Sequence, residues 1–170
     1  MTACLISTTV PTPLGEMLAV AAPEGLCLLE FVDRACLNAQ INWLRRAWRA
    51  EIAPGSSAVI EQAHSELEEY FAGRRQSFDL PLCCSGTPFQ RRVWQALRQI
   101  PYGQTRTYYQ IAQAIDHPLA ARAVGAANGR NPIAIIIPCH RLVGADGSLT
   151  GYGGGLWRKQ HLLELEKHHS

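Results

Sequence analysis

Pro138-Cys139-His140-Arg141 sets a thiol beside an imidazole and a guanidinium, directly after the apolar run 133–137. A thiolate is the best nucleophile among side chains. An ordinary cysteine has a pKa of about 8.5, so only a few per cent is ionised at pH 7, and neighbouring cations raise that share. Neighbouring residues of an extended chain point to opposite sides, so His140 reaches Cys139 only through a turn or a water. Glu166 supplies a third group. Leu156, Lys159, Leu162, Leu163 and Glu166 share one face of the final helical stretch, and an acid on an inward face needs a partner. Nucleophile, base and orienting acid together make a relay for covalent chemistry. The same residues also fit a buried structural cysteine, a solvated histidine and a frayed helix end with Glu166 in water.

These groups need elements to position them. The spacing predicts a helix over about 88–99, capped by Thr87 with Pro88 at its first position and with Phe89, Val93, Trp94 and Leu97 inward. Thr107 caps a short helix to about 115. Asp116-His117-Pro118 turns the chain, and another helix spans about 119–128 before Asn131-Pro132 ends it. Residues 133–137 read as a buried extended segment, 144–155 as a Gly-rich loop and 156–167 as the last helix, with 168–170 a tail. In the first half, 4–31 reads as short strands and turns, including 17–22 and 26–31, followed by helices over about 35–50 and 58–71. The reading is a two-domain chain. An α/β N-terminal domain, a small sheet with helices, covers 1–84. A mostly α C-terminal domain with a helix-turn-helix of winged-helix type covers 85–170.

Charge separates the same halves. Residues 1–85 carry six Arg against ten Asp and Glu, a net −4; residues 86–170 carry eight Arg and two Lys against four acids, a net +6. Among 170 residues, 47% hydrophobic and 18% charged, that basic half suggests an anionic partner. Arg91, Arg92, Arg98, Arg106, Arg122, Arg130 and Arg141 lie between 88 and 141 with Asp116 as the one acid. Such a field suits a phosphate backbone and predicts salt-sensitive binding. The helix pair 107–115 and 119–128 matches a helix-turn-helix in length, though two ordinary packed helices would look alike. Its second helix offers Ala120, Ala121, Ala123, Gly125, Ala126 and Ala127 with Arg122 as its one charge. A smooth surface of that kind suits close approach to DNA with weak sequence preference. No apolar run approaches the roughly 20 residues that cross a bilayer, no signal peptide is evident, and six cysteines without Cys-x-x-Cys read as thiols of a reducing, cytoplasmic compartment.

Several stretches of the second half carry a resemblance: Thr-Pro-Phe-Gln (87–90), Val-Trp (93–94), Ile-Pro-Tyr-Gly-Gln-Thr (100–105), Thr-Tyr (107–108), Arg-Ala-Val-Gly (122–125), Asn-Pro (131–132), Ile-Pro-Cys-His-Arg (137–141), Thr-Gly-Tyr (150–152) and the closing Lys…Leu-Leu…Glu. In this order they resemble the O6-alkylguanine-DNA alkyltransferases, also called methylated-DNA–protein-cysteine methyltransferases. The first half is similar only through Thr-Pro-Leu-Gly (12–15) and Gly-Leu (25–26). The resemblance implies a single-use DNA repair protein without cofactor. It binds the minor groove of double-stranded DNA, rotates an alkylated guanine out of the stack and takes the alkyl group irreversibly onto Cys139. It implies that His140 acts on Cys139 through a water, that Glu166 orients His140, that Tyr108 gives a proton toward guanine N3 and that Asn131 braces the turn presenting Cys139. Arg122 would fill the gap left by the flipped nucleotide. Ala121, Ala123, Gly125, Ala126, Thr107 and Arg130 fall with it on the DNA-contacting elements. Tyr152, Val143, Gly153, Gly154 and Gly155 would line the base pocket.

Two departures bear on that picture. Some members have a Ser after the pocket Tyr, where this chain has Gly153, so one hydrogen bond to the lesion is lost; the glycines suggest a roomy pocket and leave O4-alkylthymine open as a further substrate. Some members bind zinc in the first domain; Cys4, Cys27 and Cys83 or Cys84 fall in comparable regions, but the spacing is not diagnostic and no metal is assigned. A monomer is expected in solution, with cooperative assembly on DNA left open. The rival classes are a non-catalytic binder of alkylated DNA, which would lack the nucleophile, and a winged-helix regulator, which would need a richer reading helix.

Overall fold

The computed structural model describes residues 4–170. The chain divides into two compact units, Met1–Ser85 and Gly86–Ser170.

In the first unit, β1 (Cys4–Val10), β2 (Met17–Ala22), β3 (Gly25–Phe31) and β4 (Glu51–Pro54) form one sheet in the order β3-β2-β1-β4. The β1–β2 and β2–β3 pairs are antiparallel; β4 joins β1 in parallel. Leu5, Val20, Ala22, Cys27 and Leu28 meet Leu44 of α1 (Leu37–Trp48), with Leu37, Ile41 and Trp48 packed around them. Burial on that scale is the main stabilising term, about 25 cal/mol for each Å² of apolar surface removed from water. Helix α2 (Ala58–Phe71) packs against β2 and β3 and buries Ile60, Ala63, Leu67 and Tyr70. Every residue of the edge strand β3 is buried. Its open side is closed by the segment at Leu82, where Leu26 N–H donates to Pro81 O (2.9 Å) and Cys83 N–H to Leu26 O (2.8 Å). Gly25 is needed there, because a Cβ would stand 2.7 Å from Pro81 O.

All six cysteines are thiols. Burial pushes the Cys27 thiol up to about 12. Among the described residues no three His, Cys, Asp or Glu side chains are grouped to hold a metal, so the thiols near β1 and β3 do not fit the zinc of some relatives.

The second unit is helical: α3 (Pro88–Arg98), α4 (Tyr108–Ala114), α5 (Ala121–Gly129) and α6 (Leu156–His169), with a parallel ladder between β5 (Arg106–Thr107) and β6 (Leu142–Val143). Thr87 and Gln90 form a capping box on α3, and Thr107 and Gln110 form one on α4, so each helix start satisfies two donors that otherwise lack partners. Helices α3, α4 and α5 pack on one another, and Trp94 Nε1–H donates to Ala127 O at 2.8 Å. Phe89 is only half-buried, its ring 6.2 Å from that of His117. The turn of the helix-turn-helix places Asp116 at φ +62, with His117 N–H bound to Ala112 O.

Three expectations need correction. Residues 133–137 are buried but not extended. They run as consecutive turns with Ile135 at φ +71, Ile137 N–H donating to Ile133 O and Cys139 N–H to Ile137 O. An apolar run specifies burial only; here turn bonds take up the Ile136 and Ile137 N–H groups and the Asn131 side chain takes up that of Ile133. The final helix continues to His169, where His169 Nδ1 pairs with Leu165 O and Ser170 Oγ–H donates to Lys167 O, so the presumed tail is ordered helix end. Leu156, expected inward, is 48% exposed at the first position of α6; the buried stripe runs through Lys159, Leu162 and Glu166.

Candidate active site

The consecutive turns deliver Pro138 to a 3-10 turn, Cys139–Arg141, and all three of its residues are buried. Asn131 fixes the approach. Its amide nitrogen donates to Ile137 O at 2.8 Å and its oxygen accepts from Ile133 N–H at 2.9 Å. Asn128, at the buried end of α5, donates to Cys139 O at 3.5 Å. The second helix of the helix-turn-helix therefore touches the backbone of the cysteine.

His140 is completely buried. Its Nε2 lies 3.1 and 3.2 Å from the two carboxylate oxygens of Glu166. Glu166 also receives Arg141, whose Nε–H donates at 2.8 and 3.1 Å and whose Nη2 pairs with the same carboxylate, while Nη1 donates to Ile100 O at 2.7 Å. Burial opposes the Glu166 charge, but His140 and Arg141 outweigh it and hold the carboxyl below its ordinary range. Burial pulls His140 down against the pull of Glu166, and Arg141 and Lys159 add to that fall. One carboxylate balanced by one guanidinium therefore leaves a neutral imidazole. Its Nε2–H points at Glu166, which fixes the tautomer and leaves the lone pair on Nδ1. Among the described residues Nδ1 has no hydrogen-bond partner.

Arg141 does not join the phosphate-binding field expected of it: it is 6% exposed and committed to Glu166 and Ile100. Arg92 is also engaged, donating to Ile115 O and lying 3.2 Å from Nε2 of His117, so it braces the turn between α4 and α5. Arg122 and Arg130 stay exposed, as do Ala123 and Ala126, while Ala121 and Gly125 are half-buried. That gives α5 a bare face with a single long cation on the helix itself. A Cβ at Gly125 would meet only the Tyr108 ring at 3.7 Å, ordinary contact. Thr107 holds its own helix, its hydroxyl accepting from Gln110 N–H.

The loop after β6 carries Tyr152, half-buried, and Gly153, Gly154 and Gly155; Val143 is buried at its base. Gly155 has φ +97, a conformation that favours glycine, and Arg158 donates to Gly154 O at 3.0 Å. Lys159, with no exposed surface, donates from Nζ to Thr150 O at 2.7 Å and toward Gly151 O at 3.5 Å. Burial lowers its pKa, and its electrostatic interaction with Cys139 opposes that fall. Tyr108 reaches the same loop: its hydroxyl donates to Thr150 O at 3.4 Å and accepts from Thr150 Oγ–H at 3.3 Å. The roles of Arg141, Lys159 and Thr150 were not legible from sequence patterns. The available signal was the run of cations at 158 and 159 on a helix whose inward face also carries an acid.

A family model described as "6-O-methylguanine DNA methyltransferase, ribonuclease-like domain" matches residues 5–83, and one described as "6-O-methylguanine DNA methyltransferase, DNA binding domain" matches residues 88–168. The methylated-DNA–protein-cysteine methyltransferase of Mycobacterium leprae is 50% identical over 157 residues, 92% of this chain and 89% of that protein. The constitutive one of Bacillus subtilis is 42% identical, covering 94% of each chain. The crystal structure of Mycobacterium tuberculosis OGT in complex with DNA superposes with a TM-score of 0.83 at 44% identity, over 98% of this chain and 94% of that one. With both halves matched and a relative half identical over nearly the whole chain, the chain belongs to the 6-O-methylguanine DNA methyltransferase family.

Proposed function

We infer that this protein repairs double-stranded DNA by taking the alkyl group of O6-alkylguanine onto Cys139, once per chain and irreversibly. The observation that carries this reading is the cysteine at the end of a buried turn, followed by an imidazole whose tautomer Glu166 and Arg141 fix. In the reaction the Cys139 sulfur forms a bond to the alkyl carbon as that carbon's bond to guanine O6 breaks. The thiol proton leaves through a water to Nδ1 of His140, whose lone pair faces away from Glu166. The departing base gains charge and Tyr108 hands a proton to its N3; solvent returns it. No cofactor enters the balance.

DNA is held by the helix-turn-helix. Helix α5 presents Ala123, Ala126 and Arg122 outward, Arg130 is exposed at its C-cap, and small side chains admit close approach to a groove. Ala121 and Gly125 support that face and Thr107 begins α4 beside it. The lesion leaves the stack for a pocket lined by Val143, Tyr152 and Gly153–Gly155, with Arg122 in the gap behind it. The thiols fit a reducing cytoplasmic setting. Among the described residues no helix is long and apolar enough to cross a membrane. Reaction with duplex carrying labelled O6-methylguanine tests the reading: label on the protein should saturate at one group per chain. Continued turnover with release of label to solvent would refute it.

Arg122→Ala separates extrusion from chemistry. It should slow repair of the lesion in duplex by roughly tenfold to a hundredfold, the range for losing a stabilising term of about 1.5–3 kcal/mol, and leave reaction with free alkylguanine base nearly unchanged. Equal slowing on both substrates, followed by loss of label, would count against a role in base flipping.

A further inference from the structure

Thr150 lies outside the relay of Cys139, His140 and Glu166, yet three polar contacts converge on it. Its hydroxyl donates to the phenol oxygen of Tyr108 at 3.3 Å, and its carbonyl accepts from that phenol at 3.4 Å and from Lys159 Nζ at 2.7 Å. Lys159 comes from α6 with no exposed surface, and a second contact to Gly151 O at 3.5 Å secures the next peptide. A buried ammonium on a loop carbonyl is a strong anchor, because its hydrogen bond is charge-assisted. The loop position that meets Tyr108 is therefore set from below by a side chain beside Cys139.

We propose that Thr150 is a positioning residue for alkyl transfer, its hydroxyl steadying the Tyr108 oxygen while Tyr108 gives its proton to the departing base, and that Lys159 holds Thr150 in register for this. The proposal rests on the proton-donor role of Tyr108 in the reading above. With no base bound, the Tyr108 proton points at Thr150 O. When a guanine nitrogen replaces that carbonyl as acceptor, the O–H bond of Tyr108 breaks as the N3–H bond forms. The phenol oxygen is left negative, and the Thr150 hydroxyl, already donating to it, is the group placed to meet that charge. An interaction that grows only as charge develops accelerates the step instead of merely tightening binding. Solvent then restores the Tyr108 proton, and no oxidant or reductant takes part.

Thr150→Val removes the hydroxyl at constant shape, and Thr150→Ser retains it. Single-turnover transfer from O6-methylguanine in duplex should slow about tenfold in Thr150→Val, the effect of one hydrogen bond to a charged group, and stay near the wild-type rate in Thr150→Ser. The same measurement with O6-methyl-3-deazaguanine, which has no N3 to protonate, removes the step that Thr150 assists. There Thr150→Val should match wild type. Equal slowing of Thr150→Val on both lesions, equal slowing of both variants, or no slowing at all would overturn the proposal. Tyr108→Phe distinguishes failure of the parent reading: if it transfers from the ordinary lesion at the wild-type rate, the proton-donor role of Tyr108 is lost, and Thr150 with it. Slow Tyr108→Phe with unaffected Thr150→Val refutes Thr150 alone.

Discussion

Cys139→Ala is expected to bind alkylated duplex as the wild type does and to accept no alkyl group from it. Among the described residues, no other thiol is presented by the turn between α5 and β6; Cys4, Cys27, Cys36, Cys83 and Cys84 all belong to the first unit. Neither histidine nor lysine at the site replaces it, because His140 and Lys159 are held by Glu166 and by the Thr150 carbonyl. Replacing a small, 6% exposed thiol by a methyl should cost only about 1 kcal/mol, so the variant folds and retention of DNA shows that its surface is intact. A mobility-shift assay beside the label-transfer assay reads both quantities. Residual transfer at an appreciable fraction of the wild-type rate would move the nucleophile elsewhere.

Glu166→Ala is expected to be the most damaging substitution for stability. It strands the Arg141 guanidinium and His140 in a dry site, and removing one partner of a buried ion pair costs about 3–5 kcal/mol. Glu166→Gln keeps the shape but cannot serve both partners as an anion. It should fold with a smaller loss and transfer the alkyl group roughly a hundredfold to ten-thousandfold more slowly, as expected when the imidazole loses its fixed tautomer. The site also sets the response to acid. The folded state holds the Glu166 carboxyl below its ordinary 4.5, so its contribution is present above that value and lost as pH falls through the lower folded one. His140 is held below its ordinary 6.5, so the unfolded chain takes up that proton first and stability declines from about pH 6.5 downward. Both effects make the folded state less stable in acid than at neutral pH. Denaturant midpoints should fall steadily from pH 7 to pH 4 in the wild type, and a flat profile would contradict a neutral, buried His140.

The parts of the molecule that sequence makes legible are those governed by local rules. Thr87-Pro88 and Thr107 mark helix starts because capping is a contact between residues three apart, and the boundaries of α2 and α3 follow from apolar spacing. Strand β4 carries four residues ending in Pro54, and β5 and β6 carry two each, too few for any period to show. The turns through Ile135 escape for another reason. Five apolar residues state that they are buried and not which backbone path buries them. At the site, Cys139, His140 and Glu166 stand out as residue types that need partners, and Glu166 indeed lies inward. What the sequence hides is the division of labour among cations. Arg141 and Arg122 carry the same charge in the same basic half, yet one is sealed against Glu166 and the other projects from a bare helix. Thr150 is hidden for the same reason, since its partner Tyr108 is 42 residues away.

The most direct test of the alkyl-transfer reading is peptide mass analysis of the intact protein after stoichiometric reaction with duplex carrying O6-methylguanine. The predicted result is one added methyl group on the peptide containing Cys139, with guanine restored in the DNA. A methyl group on any other residue, or an unmodified Cys139 with the lesion repaired, would contradict it.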